Sequence, residues 1–291
     1  MRRVLLVTAA LAAIATSAVT AAQSGATKVQ NGRISFWSDR SSGGRAQVFD
    51  MNPDGTDPRR LTDLFSAKRG DFSLDGRKLV FDGRGYSTMF DFDIFVMNSD
   101  GSGVRQLTRG PERDTNASWS PDGRLVAFGR ERSENSIPSL WIVRADGSDA
   151  HRITEGIHAA WSPDGSRIAV GGRSLRIMRP DGTQARTIVR RATEAAAWSR
   201  DGRRILFTGF RGDNADVYVV QPDGTGLRRL TRPYDEDLAA DFSPDDRKIL
   251  FTSDRGGWRQ VYVMNVDGSR VRNVSRSRSS EWATSWQPLT P

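Results

Sequence analysis

Acidic side chains recur a few residues ahead of an aromatic in this sequence. Asp114 lies five positions before Trp119, Glu194 four before Trp198, Asp237 five before Phe242 and Glu281 five before Trp286. Asp71 stands just ahead of Phe72, and Glu155 and His158 stand ahead of Trp161. If these side chains converge, their oxygens form a ring able to hold Ca2+ or to grip a basic peptide. The competing reading is local, with each acid capping its own loop or pairing with a neighbouring Arg. Tyr86, Tyr234 and Trp258 fall in loops, where exposed aromatics anchor interfaces.

Catalysis finds little to work with. The chain has two His and no Cys, which removes a thiol nucleophile, disulfides and any His-rich or thiolate metal centre. His151 falls in an outer strand and His158 in a loop. No G-x-S-x-G elbow occurs, and neighbouring carboxylates such as Asp235 and Glu236 arise in any acidic loop. The expectation is a non-enzymatic binding protein. The alternative is a carbohydrate-active lyase or hydrolase, or a peptidase-associated propeller, using the same face.

The elements that would position these residues repeat along the chain. One turn recurs as "SLDG", "SPDG", "SPDG", "SRDG" and "SPDD" at Ser73, Ser120, Ser162, Ser199 and Ser243. A second turn, Asp-Gly followed by a basic, apolar and Thr-like ending, recurs at Asp54, Asp100, Asp146, Asp181, Asp223 and Asp267. The period of roughly 40–45 residues, with four short strands per unit, is that of propeller blades. Pro presets φ in the first turn and Gly accepts positive φ. Between turns, alternating runs such as "RLVAFG" and "QVYVMN" send every second side chain into a sandwich between neighbouring blades. Phe72, Trp119, Trp161, Trp198, Phe242 and Trp286 are expected to pack there too.

The first unit begins at its second strand, "RISFWSDR". Its missing inner strand is supplied by "TSWQP" at Thr284–Pro288. The fold class is therefore all-β: a six-bladed β-propeller of four-stranded antiparallel blades, closed by pairing of the N- and C-terminal strands. Closure removes the sheet edges that invite aggregation.

Ahead of the repeats, Arg2, Arg3 and an apolar run to about Ile14 read as a secretory signal over residues 1–22. Residues 23–32 form a short linker and 33–291 the propeller. The product is expected to be exported, periplasmic or extracellular, monomeric, and without a membrane span after cleavage. The formal charge of +8 comes from Arg spread among Asp, with no basic block, so no nucleic-acid partner is expected.

The unit W-S-P-D-G-R followed by I-x-F-x-S-D-R, V-Y-V-M-N-x-D-G-S and R-x-L-T resembles the TolB-like β-propeller repeat family over residues 33–288. The resemblance implies a rigid disc that binds a protein or peptide of the cell envelope. Residues 23–32 leave no room for the α/β domain that precedes the propeller in TolB. The two tight turns share one face, and the variable loops share the other. Binding is expected on the loop face, around the channel mouth.

Overall fold

In the computed structural model, residues 29–40, 43–85, 92–133, 136–191, 193–212, 214–231 and 234–289 are described. The expected signal segment and Tyr86 lie outside them. Among these residues the chain folds into six antiparallel sheets of four strands, with no helix. Each sheet is one blade.

Blade one carries the closure. Its inner strand, Glu281–Leu289, pairs with Gln30–Ser38, which continues to Gln47–Met51 and Arg59–Arg60. The register sets Ile34 against Trp286 and Trp37 against Trp282. The second strand starts at Gln30, inside the expected linker, because the last strand runs on and sets Leu289 opposite it. The other inner strands are Ser66–Phe72, Arg113–Trp119, Ala159–Trp161, Thr193–Trp198 and Asp237–Phe242, for blades two to six. Within the described residues no helix is long and apolar enough to cross a membrane.

The core is divided. Six apolar clusters lie between neighbouring blades, so each blade is held by the two beside it. Phe36, Phe81, Phe128, Phe207 and Phe251 occupy one strand position in five blades and are fully buried. Three of them stack on a ring of the next strand, Phe36 on Phe49 at 5.5 Å for example, and Phe251 lies tilted against Tyr262. Burying an aromatic of this kind contributes about 2–3 kcal/mol, so stability is spread around the ring.

The repeated turns are hydrogen-bonded units. Ser73, Ser120, Ser162, Ser199 and Ser243 each donate to the Asp two residues on, at 2.6 Å. In the second turn, Asp54, Asp100, Asp146, Asp181, Asp223 and Asp267 accept from the following Thr or Ser. The Thr-like ending has its own task. The hydroxyls of Thr62, Thr108, Thr231 and Ser275 accept the N–H of Val48, Ile94, Val217 and Val261, each at 3.0 Å.

The basic residue of the same motif joins blades. Arg105, Arg186 and Arg228 each donate to two carbonyls on the next blade's second turn, and Arg272 reaches Pro53 across the closure at 3.3 Å. Much of the excess Arg is therefore scaffold.

Candidate functional site

The inner strands surround a central channel with a cavity of about 320 Å³. Bulges shape its wall. The pairing slips between Lys68 and Asp71 and between Thr115 and Ser118, and Arg69 and Asn116 take φ of 49° and 59° there. A bulge leaves one residue outside the ladder and re-aims its side chain, and both residues line the channel. The amides freed by a bulge must find acceptors. Ala239 and Ala283 N–H donate to the hydroxyls of Thr208 and Thr252 on the preceding blade. In blade two a carboxylate faces the bulge of the next blade: burial pushes Asp82 up to about 6, with Arg69 and the backbone N–H groups of Asn116 and Ala117 drawing it back.

The residue just before each aromatic forms one level of the wall. Going round, these are Asp71, Ser118, Ala160, Ala197, Asp241 and Ser285. Three of them stitch blades together. Asp241 accepts Trp286 N–H at 2.8 Å, Ser285 Oγ accepts Phe72 N–H at 2.9 Å, and Asp71 accepts Trp119 N–H at 2.9 Å. The opposite side of the level is alanine. Desolvation pushes Asp71 up to about 7 and Asp241 well above its usual range, the latter also through repulsion from Asp71.

The acids singled out in the sequence do not form one ring. Asp114, Asp237 and Glu281 share a position at the start of their inner strands, and all three are buried. Each turns to an Arg of its own blade. Arg130 grips Asp114 with two bonds of 2.7 and 2.8 Å, Arg255 grips Asp237 at 2.9 and 3.0 Å, and Arg40 pairs with Glu281. Those guanidiniums also lie over the rings beneath, as Arg255 does over Phe251 and Tyr262. The local pairing is the one the structure forms. None of these three carboxylates is among the channel-lining groups.

The corresponding position in blade two is Ala67, so Asp71 belongs to a different level, the one it shares with Asp241. Glu155 is exposed and outside the channel wall. Only Asp71, His158 and Glu194 of the seven come together on that wall. His158 Nε2 is 3.5 Å from Glu194 Oε1. Burial would raise Glu194, but the His158 bond and charge, with Arg69 behind them, hold it below its usual value. Among the described residues no group of three or more His, Asp or Glu side chains has metal-holding geometry. Of the seven, Asp114, Asp237 and Glu281 are the ones taken up by Arg.

On the loop face Tyr234 is 92% exposed at a φ of 97°, and Trp258 is 59% exposed. Sequence reading missed Asp241, Arg69, Trp37 and Trp282 at the channel and its mouth. The shared Asp-Phe pair at Asp71 and Asp241 was a visible signal for the first. The bulge that turns Arg69 inward leaves no mark in composition.

Comparison with known proteins fits this architecture. The TolB beta propeller domain matches residues 182–290. An uncharacterized protein of Agrobacterium fabrum is 30% identical over 125 residues, which is 43% of this chain and 41% of that protein. The Tol-Pal system protein TolB of Zymomonas mobilis is 40% identical over 62 residues, 21% of this chain and 13% of that one. The matched part therefore spans well under half of either relative. Among solved structures, TolB from Acinetobacter baumannii superposes with a TM-score of 0.76 at 17% identity, covering 88% of this chain and 66% of that one. Its repeats, its six closed blades and these matches make the chain a six-bladed β-propeller similar to those of TolB-like proteins.

Proposed function

We propose that this chain is an exported, non-enzymatic disc that binds a protein partner in the cell envelope through its loop face and channel mouth. The observation that carries the reading is the contrast in side-chain use between the two faces. Acids and bases of the turns are consumed in bonds that repeat blade after blade, whereas Tyr234 and Trp258 stand free on the loop face. Exposed rigid aromatics beside a concave mouth are what a protein interface needs. The Tol-Pal name of a matched relative supports an envelope setting.

Enzymatic use of the same face has less behind it. His158 and Glu194 pair with each other, and no further His lies near. Oligogalacturonate lyase from Vibrio parahaemolyticus shares the fold at a TM-score of 0.54 and 12% identity, a likeness of scaffold alone. The test is chemical crosslinking of the chain in its own envelope fraction, with Tyr234→Ala/Trp258→Ala as the comparison. A discrete protein adduct lost in the double variant is the expected result. Turnover of polygalacturonate or peptide by the purified chain would overturn the reading.

A further inference from the structure

One sector of the loop face is built differently from the rest. Cations and aromatic rings form a continuous row there across blades six, one and two. Arg259 lies over Trp282 at 5.7 Å, and Trp282 stacks on Trp37 with centroids 3.7 Å apart and planes 1° from parallel. Lys68 lies over the Trp37 ring at 5.0 Å and over Phe92 at 5.5 Å. Arg84 then spans Phe92 and Phe65, and Arg45 ends the row over Phe65 at 4.7 Å. Arg113 of blade three joins from the side, 5.9 Å from the Phe92 centroid. Trp37 and the neighbouring Arg69 line the channel, so the row runs along its mouth.

At two of its cations the row meets an acid. Glu236 pairs with Arg259, and Glu131 with Arg113 at 2.9 Å. Asp82, opposite Lys68 on the next strand, is buried and engaged by Arg69 at 3.5 Å. Lys68 makes no ion pair among the described residues. Its ammonium is half-buried, and desolvation, then the like charges of Arg69, Arg113 and Arg84, draw its pKa down against the attraction of Asp82. A half-buried ammonium among other cations is a poor arrangement for an empty surface. It suits an incoming anion.

We propose that this row is the docking site for an acidic, extended segment of the partner protein, with a carboxylate seated against Lys68 at the channel mouth. The proposal rests on the protein-binding reading above and names the chemistry of the partner. Charge complementarity selects an anion. The ring geometry selects peptide over sugar, because a sugar needs an open aromatic face. Trp37 has Trp282 on one side and Lys68 over its ring, while Trp282 has Trp37 and Arg259. The row combines half-buried rings with cations, which carboxylates on a flexible backbone can follow.

The test is binding of fluorescein-labelled decaglutamate to the full chain by anisotropy at low salt. Trigalacturonate and inorganic phosphate serve as unlabelled competitors. Saturable, salt-sensitive binding is expected, weakened about tenfold by Lys68→Gln/Arg113→Gln. The turn-face control Arg203→Gln/Arg247→Gln should leave it unchanged. Arg113→Gln alone, at an exposed position, should still weaken binding should Lys68→Gln unfold the chain.

Absence of saturable binding, or equal weakening in the turn-face control, overturns the proposal. So does tighter competition by trigalacturonate or phosphate than by unlabelled decaglutamate. If decaglutamate fails while the envelope adduct still depends on Tyr234 and Trp258, the acidic-segment proposal falls and the protein-binding reading stands.

Discussion

The Ser162–Asp164 turn of blade four and the Tyr234 loop between blades five and six lie on opposite faces of one disc and follow opposite rules. The 2.6 Å bond of the turn recurs in four other blades, with the same partners and geometry. The loop carries a nearly bare ring at a positive φ, and among the described residues no other blade repeats it. A residue in the turn answers to its own blade, so its conservation from blade to blade is a matter of folding. The Tyr234 ring, nearly bare, answers to little inside the molecule. Repetition marks the scaffold, and its interruption marks the surface open to a partner.

That contrast can be broken most violently at the closure. Trp286 is buried between blades one and six and donates its indole N–H to Gly32 O at 3.0 Å. Trp286→Ala should cost about 3–5 kcal/mol, read as a lower urea midpoint, because it opens a cavity at the seam where the termini meet.

Asp114 sharpens the contrast from within the loop-face end. Asp114→Ala leaves the largely buried Arg130 without its two bonds, and removing one partner of such a pair costs about 3 kcal/mol. Partner binding per folded molecule should stay unchanged. Loss of binding with normal stability would instead return Asp114 to the channel mouth.

Asp71 gives a smaller, pH-dependent effect. Its carboxyl has a folded pKa of about 7 against 3.8 for the ordinary group. Between those values the folded chain holds a proton that the unfolded chain has released, so this contribution to stability falls as pH rises. Asp71→Asn keeps an acceptor for Trp119 N–H and cannot ionise. It should melt about 2–4 °C above the parent at pH 8 and level with it at pH 4. Equal melting at both pH values would show that Asp71 is solvated like a surface acid.

The smallest effect on stability belongs to the loop aromatics. Tyr234→Ala and Trp258→Ala should each shift unfolding by less than about 0.5 kcal/mol, while binding drops tenfold or more, roughly what a buried aromatic anchor contributes. Paired melting and binding curves check both halves.

The blade count, the closure by the last strand and the interblade place of the six aromatics were all legible in the sequence, because each is dictated by turn chemistry or period-two alternation. The candidate site was much less legible. Asp114, Asp237 and Glu281 share a spacing, yet that spacing cannot tell a carboxylate facing the channel from one facing Arg130, Arg255 or Arg40 on its own blade. Those Arg lie 16 to 18 residues away from Asp114 and Asp237 and far more from Glu281. Arg69 faces the channel only because a bulge intervenes. The Trp37–Trp282 stack joins residues from the two ends of the chain, and only ring closure reveals it.

The central claim is that binding belongs to the loop face and folding to the turn face. The most direct measurement places a photo-crosslinking amino acid at position 234 or 258, and in separate chains at 203 or 247, with irradiation in intact cells. The account predicts a discrete protein adduct from 234 and 258 and none from 203 and 247. Adducts from the turn positions with none from the loops would contradict it.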